Sequence, residues 1–92
     1  MKQCVCIMIS GSYPEGFLRD FIQKNARKYI LEGTAQATSQ TSAKIMVCGE
    51  KNNIDGFLDV LHKGTKEVEL DEIHIEPFIK EKDYRGIFRV IE

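Results

Sequence analysis

Ninety-two residues, 42% of them apolar and 29% charged, suffice for one hydrophobic core and exclude a disordered or fibrous chain. A net charge of -1 excludes the basic excess that a nucleic-acid binder brings to the phosphate backbone, so any anion site has to be local. The longest apolar run, Val5 to Ile9, is too short to span a bilayer and no signal-like segment follows Met1-Lys2; the expectation is one cytoplasmic domain, residues 1–92, with no membrane contact.

Gln3 to Ile9 is apolar on both faces, as a central strand is. From Gly16 the pattern changes: Phe17, Leu18, Phe21, Ile22, Ala26 and Tyr29 recur at three- and four-residue steps and predict an amphipathic helix ending near Tyr29. Leu31 to Ala37 and Ala43 to Cys48 alternate as two strands of a hairpin joined through Thr38-Ser39-Gln40-Thr41-Ser42, with its turn type open. Asn52 or Asn53 offers an N-cap for a second helix, Ile54, Phe57, Leu58 and Leu61 form its apolar stripe, and Gly64 sits where a C-cap belongs. Val68 to Ile75 reads as a strand whose phase slips between Leu70 and Ile73, the sign of a bulge or a late start. Pro77 ends it, the mixed-sign run 80–83 is a solvated loop, and Ile87 to Ile91 supplies a short last strand. The order βαββαβ with a tail strand predicts an α+β sandwich of ferredoxin-like type, two helices on one face of an antiparallel sheet.

Three cysteines in a chain without an export signal argue against a disulfide, and Cys4, Cys6 and Cys48 read as small buried hydrophobes. The spacing typical of zinc sites is missing, so no metal is expected. His62, near the end of the second helix, and His74 read as surface residues.

The connection between the first strand and the first helix departs from what packing needs. Gly11 and Gly16 bracket Ser12-Tyr13-Pro14-Glu15, and the helix opens with Arg19, a cation where the helix dipole favours an acid. Two readings stay open at this level. The glycines turn the chain and Arg19 is solvated, or the loop N–H groups and the guanidinium form a site for a phosphate.

On these residues the chain resembles the acylphosphatase family, small α+β enzymes that hydrolyse the carboxyl-phosphate anhydride of acyl phosphates without metal or cofactor. The family's loop, V-x-G-x-V-Q-G-V-G-F-R-x-F, falls without gaps on this sequence, with its first glycine on Gly11, its arginine on Arg19 and its last phenylalanine on Phe21. The same frame puts the family's Ala-Arg on Ala26 and Arg27, its later glycines on Gly33, Gly49 and Gly64, and F-L-x-x-L on Phe57, Leu58 and Leu61. The resemblance implies an acylphosphatase-like sandwich in which Arg19, as the catalytic residue, and the backbone N–H groups of Glu15, Gly16, Phe17 and Leu18 hold the phosphoryl group. It implies no cofactor, and as partner a small phosphorylated substrate or an inorganic anion bound by a monomer.

Three positions depart from the family pattern. Pro14 has no N–H to offer and Glu15 brings a carboxylate to the loop. The family's Trp-Val-Arg is Thr34-Ala35-Gln36, and its water-positioning asparagine falls on Ala37, whose methyl group holds no water. Gln36 and Thr38 face the other side of a regular strand, whereas Ser39 has the parity of residue 37, so Ser39 or the backbone is left to place the water. Two functions follow: an acylphosphatase with weak or altered activity, or a catalytically inactive module of that fold that binds an anion or a partner protein.

Overall fold

A computed structural model describes residues 2–64, 69–77 and 86–91. Strand β1, Lys2–Ser12, lies between two neighbours, so both its edges are paired and both its faces carry apolar side chains. It is followed by a π-helical segment, Leu18–Gln23, that runs directly into α1, Lys24–Lys28. Strands β2, Glu32–Ser39, and β3, Ser42–Glu50, form the hairpin, α2 spans Lys51–Gly64, β4 spans Glu69–Pro77 and β5 spans Phe88–Ile91. The sheet order is β4-β1-β3-β2-β5. The pairs β4–β1, β1–β3 and β3–β2 are antiparallel, but β5 runs parallel to β2, so the sheet is mixed and the expectation of an antiparallel one is corrected at this edge. β5 lies at the edge opposite β4 and runs in the direction of β2.

One face of the sheet is the core. Val5, Ile7 and Ile9 of β1, Ala35 of β2, Ala43, Ile45 and Val47 of β3 and Phe88 of β5 are buried against Phe17, Leu18, Ile22 and Ala26 of the first helical stretch and Ile54, Phe57 and Leu61 of α2. Burying a side chain such as Phe57 or Phe88 contributes about 1.5–3 kcal/mol, so this cluster accounts for both helices lying on the same face. The first helix is wider than the expected α-helix, for a reason its spacing contains. Leu18, Ile22 and Ala26 repeat at strictly four residues, and on an α-helix each such step would drift by about 40°. In the wider π turns, Leu18–Gln23, the same step falls short of a full turn, so the drifts of the π and α parts oppose each other, and all three residues are buried against the sheet.

The first helical stretch ends on paired bonds. Ile30 N–H donates to the Arg27 carbonyl and Leu31 N–H to the Ala26 carbonyl, at 3.1 and 2.9 Å, which is a Schellman closure with Ile30 in the left-handed region at φ 57°. Gly33 follows at φ 144°, where an added Cβ would lie 1.7 Å from the Met46 carbonyl oxygen, so no side chain fits between β2 and β3 at that point. Helix α2 begins at Lys51, directly after β3 and ahead of Asn52 and Asn53, which sit in its first turn and not at its cap. That start puts Lys51 one turn before Asp55, with Nζ 2.9 Å from the carboxylate. The slip expected between Leu70 and Ile73 is present: Ser10 pairs with Glu72 and Gly11 with Leu70, leaving Asp71 as an extra residue. The 80–83 run lies outside the described residues, as does Val68.

The cysteine reading is corrected. Cys4 and Cys48 are direct partners across the antiparallel β1–β3 ladder, with Cα atoms 4.1 Å apart, and are joined as a disulfide. Counting cysteines against a presumed compartment misses what strand register brings together. Cys6 is a buried free thiol, as read, and burial pushes its pKa up, with Lys44 opposing and Glu76 adding to the effect. His62 in the last turn of α2 and His74 on β4 are both exposed.

Candidate active site

At the end of the sheet where β1 gives way to the loop, a concavity of about 460 Å³ opens on the helix side. Its floor and one wall are the loop and first helical turn, Tyr13 to Arg19. The hairpin contributes Ala37 and Gln40, and Val90 and Ile91 of β5 close the remaining side. Arg19, Glu15, Gly16, Phe17 and Leu18 therefore all meet at one depression, together with Ala37.

The loop is shaped by local bonds. Phe17 N–H donates to the Pro14 carbonyl at 3.1 Å, and the Gly16 carbonyl accepts from both Arg19 N–H at 3.1 Å and Asp20 N–H at 2.7 Å. Gly16 is at φ 84°, a backbone angle that favours glycine, and an added Cβ there would meet the Asp20 carboxylate at 2.8 Å, which that side chain could relieve by turning aside. Tyr13 packs at a tilt on Phe17, with ring centroids 5.6 Å apart, and Phe17 stacks on Phe21 at 5.2 Å, which ties the loop to the first helical stretch. In these bonds the N–H of Phe17 already has a partner. An anion using it would share or replace a 3.1 Å contact.

The hairpin tip is held against the loop from its own side. Gly11 N–H donates to the Thr41 carbonyl at 2.7 Å, and the Tyr13 hydroxyl donates to the Ser42 carbonyl at 3.3 Å. The strand does extend to Ser39, but its parity does not carry through. Ala37 pairs with Ala43 and Ser39 with Ser42, so Thr38 is an extra, bulged residue and Ser39 lies across from Ser42. Ser42 belongs to the face of β3 opposite Ala43, Ile45 and Val47, and its Oγ is 2.7 Å from both Thr38 Oγ1 and Ser39 Oγ. Ser39 therefore turns away from the concavity, and the expectation that it stands in for residue 37 is corrected. The hairpin residue that sequence reasoning missed is Gln40, which reaches the concavity because the bulge resets the strand before the two-residue turn.

The far edge of the site is fixed by two charged residues. Arg27 donates from Nε and Nη2 to the Phe88 carbonyl, at 3.3 and 3.1 Å, and the buried Glu32 accepts from Gly86 N–H at 2.8 Å. Gly33 N–H donates to the Ile87 carbonyl at 3.1 Å, so β5 is pinned at its start and delivers Val90 and Ile91 to the wall. Among the described residues, no three His, Cys, Asp or Glu side chains converge as a metal site, and no helix is long and apolar enough to cross a membrane.

Residues 5–90 match the family model for acylphosphatase. Among solved structures, an acylphosphatase from Coxiella burnetii superposes with a TM-score of 0.82 at 23% identity, covering 98% of this chain and 93% of that one. An acylphosphatase from Bacillus subtilis gives 0.83 at 18% identity, with all of both chains covered. Full-length HypF in a phosphate- and nucleotide-bound form gives 0.82 at 24% identity over all of this chain, which spans only 12% of that protein. Among curated proteins none matches this chain in sequence.

Proposed function

The chain belongs to the acylphosphatase family, and on that footing we propose that it hydrolyses the carboxyl-phosphate bond of small acyl phosphates, at a weak or altered rate. The observation that carries the proposal is the meeting of Arg19 with the loop 15–18 at one concavity. A guanidinium can grip two phosphoryl oxygens at once, and backbone N–H groups of the loop can take a third. Water then attacks phosphorus, the P–O bond to the acyl group breaks, the carboxylate leaves with the bonding pair, and orthophosphate is released with the water's oxygen. Phosphoryl transfer of this kind depends on positioning and on meeting charge, both of which the loop and Arg19 can supply without a cofactor.

A specific feature favours a second reading, an inactive module that binds an anion or a partner protein. Ala37 and Glu15 both line the concavity, one unable to hold water and the other carrying like charge toward a phosphate. Hydrolysis of a simple aryl-acyl phosphate by wild type, Arg19→Ala and Ala37→Asn separates the two. Activity in wild type that disappears in Arg19→Ala supports the enzyme. Silence in wild type that Ala37→Asn relieves means that the phosphate grip persists without the water-handling side, and silence in all three leaves the binding module.

A further inference from the structure

The attacking water needs a neighbour that both accepts and donates hydrogen bonds, placed across the concavity from the phosphate grip. Each lining side chain can be tested against that requirement. Ala37, Pro14, Phe17, Leu18, Val90 and Ile91 are apolar. The Tyr13 hydroxyl donates its proton to the Ser42 carbonyl. Arg19 donates only, and Glu15 sits in the loop itself with a charge that opposes an incoming phosphate. Thr38 and Ser39, the hydroxyls next along the strand, are committed to Ser42 Oγ on the other face of the sheet. Gln40 remains: it lines the concavity from the hairpin, and its side chain is a neutral carboxamide with an accepting oxygen and two donating protons.

We propose that Gln40 positions the attacking water, taking the task that the residue at 37 cannot perform. The hairpin is built to hold it there: the Gly11-to-Thr41 and Tyr13-to-Ser42 bonds, 2.7 and 3.3 Å, clamp the two residues that follow Gln40 to the strand and loop that carry the phosphate grip. The bulge at Thr38 is what brings Gln40 and not Ser39 to this wall. The inference rests on the hydrolytic reading above and deepens it by naming the side chain that handles water.

The test is steady-state hydrolysis of an aryl-acyl phosphate by wild type and Gln40→Met, which keeps the length of the side chain and removes its hydrogen bonds. Competitive inhibition by inorganic phosphate is measured in parallel. The expected result is a fall in kcat of about a hundredfold, with KM and the phosphate inhibition constant within twofold of wild type, the pattern for a group that acts on the water and not on the phosphoryl grip. Gln40→Ala, at an exposed turn position, serves as a second variant, and thermal unfolding of both reports whether the hairpin is intact. Wild-type turnover that Gln40→Met and Gln40→Ala leave unchanged overturns the role of Gln40 alone. A parallel loss of phosphate inhibition assigns Gln40 to binding and overturns it as well. Wild type that inhibitor-free assays show to be inert overturns the hydrolytic reading, and this inference with it.

Discussion

Reducing the Cys4–Cys48 disulfide should cost the fold several kcal/mol and leave the candidate active site unchanged. The bridge spans 44 residues of sequence, and in the chain-entropy model a loop of that size removes about 13 cal/mol/K from the unfolded ensemble, or about 4 kcal/mol at 25 °C. Measured bridges commonly deliver somewhat less, about 2–4 kcal/mol, because reduced chains keep residual structure. With a urea slope of about 1 kcal/mol/M for a domain this small, the unfolding midpoint should fall by about 2–4 M when a thiol reductant is added. The double variant Cys4→Ala/Cys48→Ala should reproduce the shift without reductant. Cys4 lies eight residues before Ser12 on β1, so at ~3.3 Å per residue the bridge is about 26 Å from the loop, and the rate of hydrolysis or the affinity for phosphate per folded molecule should not change. Superimposable urea curves with and without reductant, once thiol titration shows three reduced cysteines, would refute the entropic reasoning.

Ile30 occupies the left-handed region while being 81% exposed, so Ile30→Gly should remove about 1–2 kcal/mol of backbone strain, lose no burial, and return part of the gain to unfolded-state entropy. A net stabilisation of about 0.5–1 kcal/mol is expected, read as a rise of a few degrees in Tm; a fall would show that Ile30 makes contacts its exposure does not reveal. Arg27→Ala removes both guanidinium bonds to the Phe88 carbonyl and should cost about 1.5–3 kcal/mol by chemical denaturation, with amide exchange accelerating in β5 first. Glu15→Gln takes a like charge from the concavity, so inorganic phosphate titrated by amide NMR should bind a few-fold more tightly than to wild type, by about 0.5–1 kcal/mol, an exposed charge being well screened. An unchanged affinity would place the Glu15 carboxylate outward in water.

The parts of this molecule that the sequence shows plainly are those set by periodicity. Phe57 and Leu61 recur at helical spacing and are buried where that spacing puts them, and the phase slip before Ile73 is visible as a break in alternation. The disulfide, the parallel β5 and the π geometry are different in kind, because each depends on a partner elsewhere in the chain. Cys4 meets Cys48 only because β1 and β3 pair in one register, and Leu18, Ile22 and Ala26 widen their helix only because a sheet lies beneath them. Within the site, Arg19 and Gly16 were legible from their place after the first strand, since a glycine at φ 84° and a cation opening a helix both stand out against local rules. Gln40 carried no such mark.

The hairpin shows why a position-by-position comparison misplaces chemistry here. Residue 37 faces the concavity, and counting by twos along a regular strand sends the next chance to Ser39. One extra residue at Thr38 reverses that parity, so both nearby hydroxyls go to Ser42 on the far face and the turn residue comes round to the site. The loss of a hydrogen-bonding side chain at Ala37 and the arrival of one at Gln40 are consequences of different features, a substitution and a bulge. Ala37→Asn and Gln40→Met therefore probe two positions on the hairpin side of one site, and if the Gln40 carboxamide already holds the water, an asparagine restored at 37 will add little to the rate.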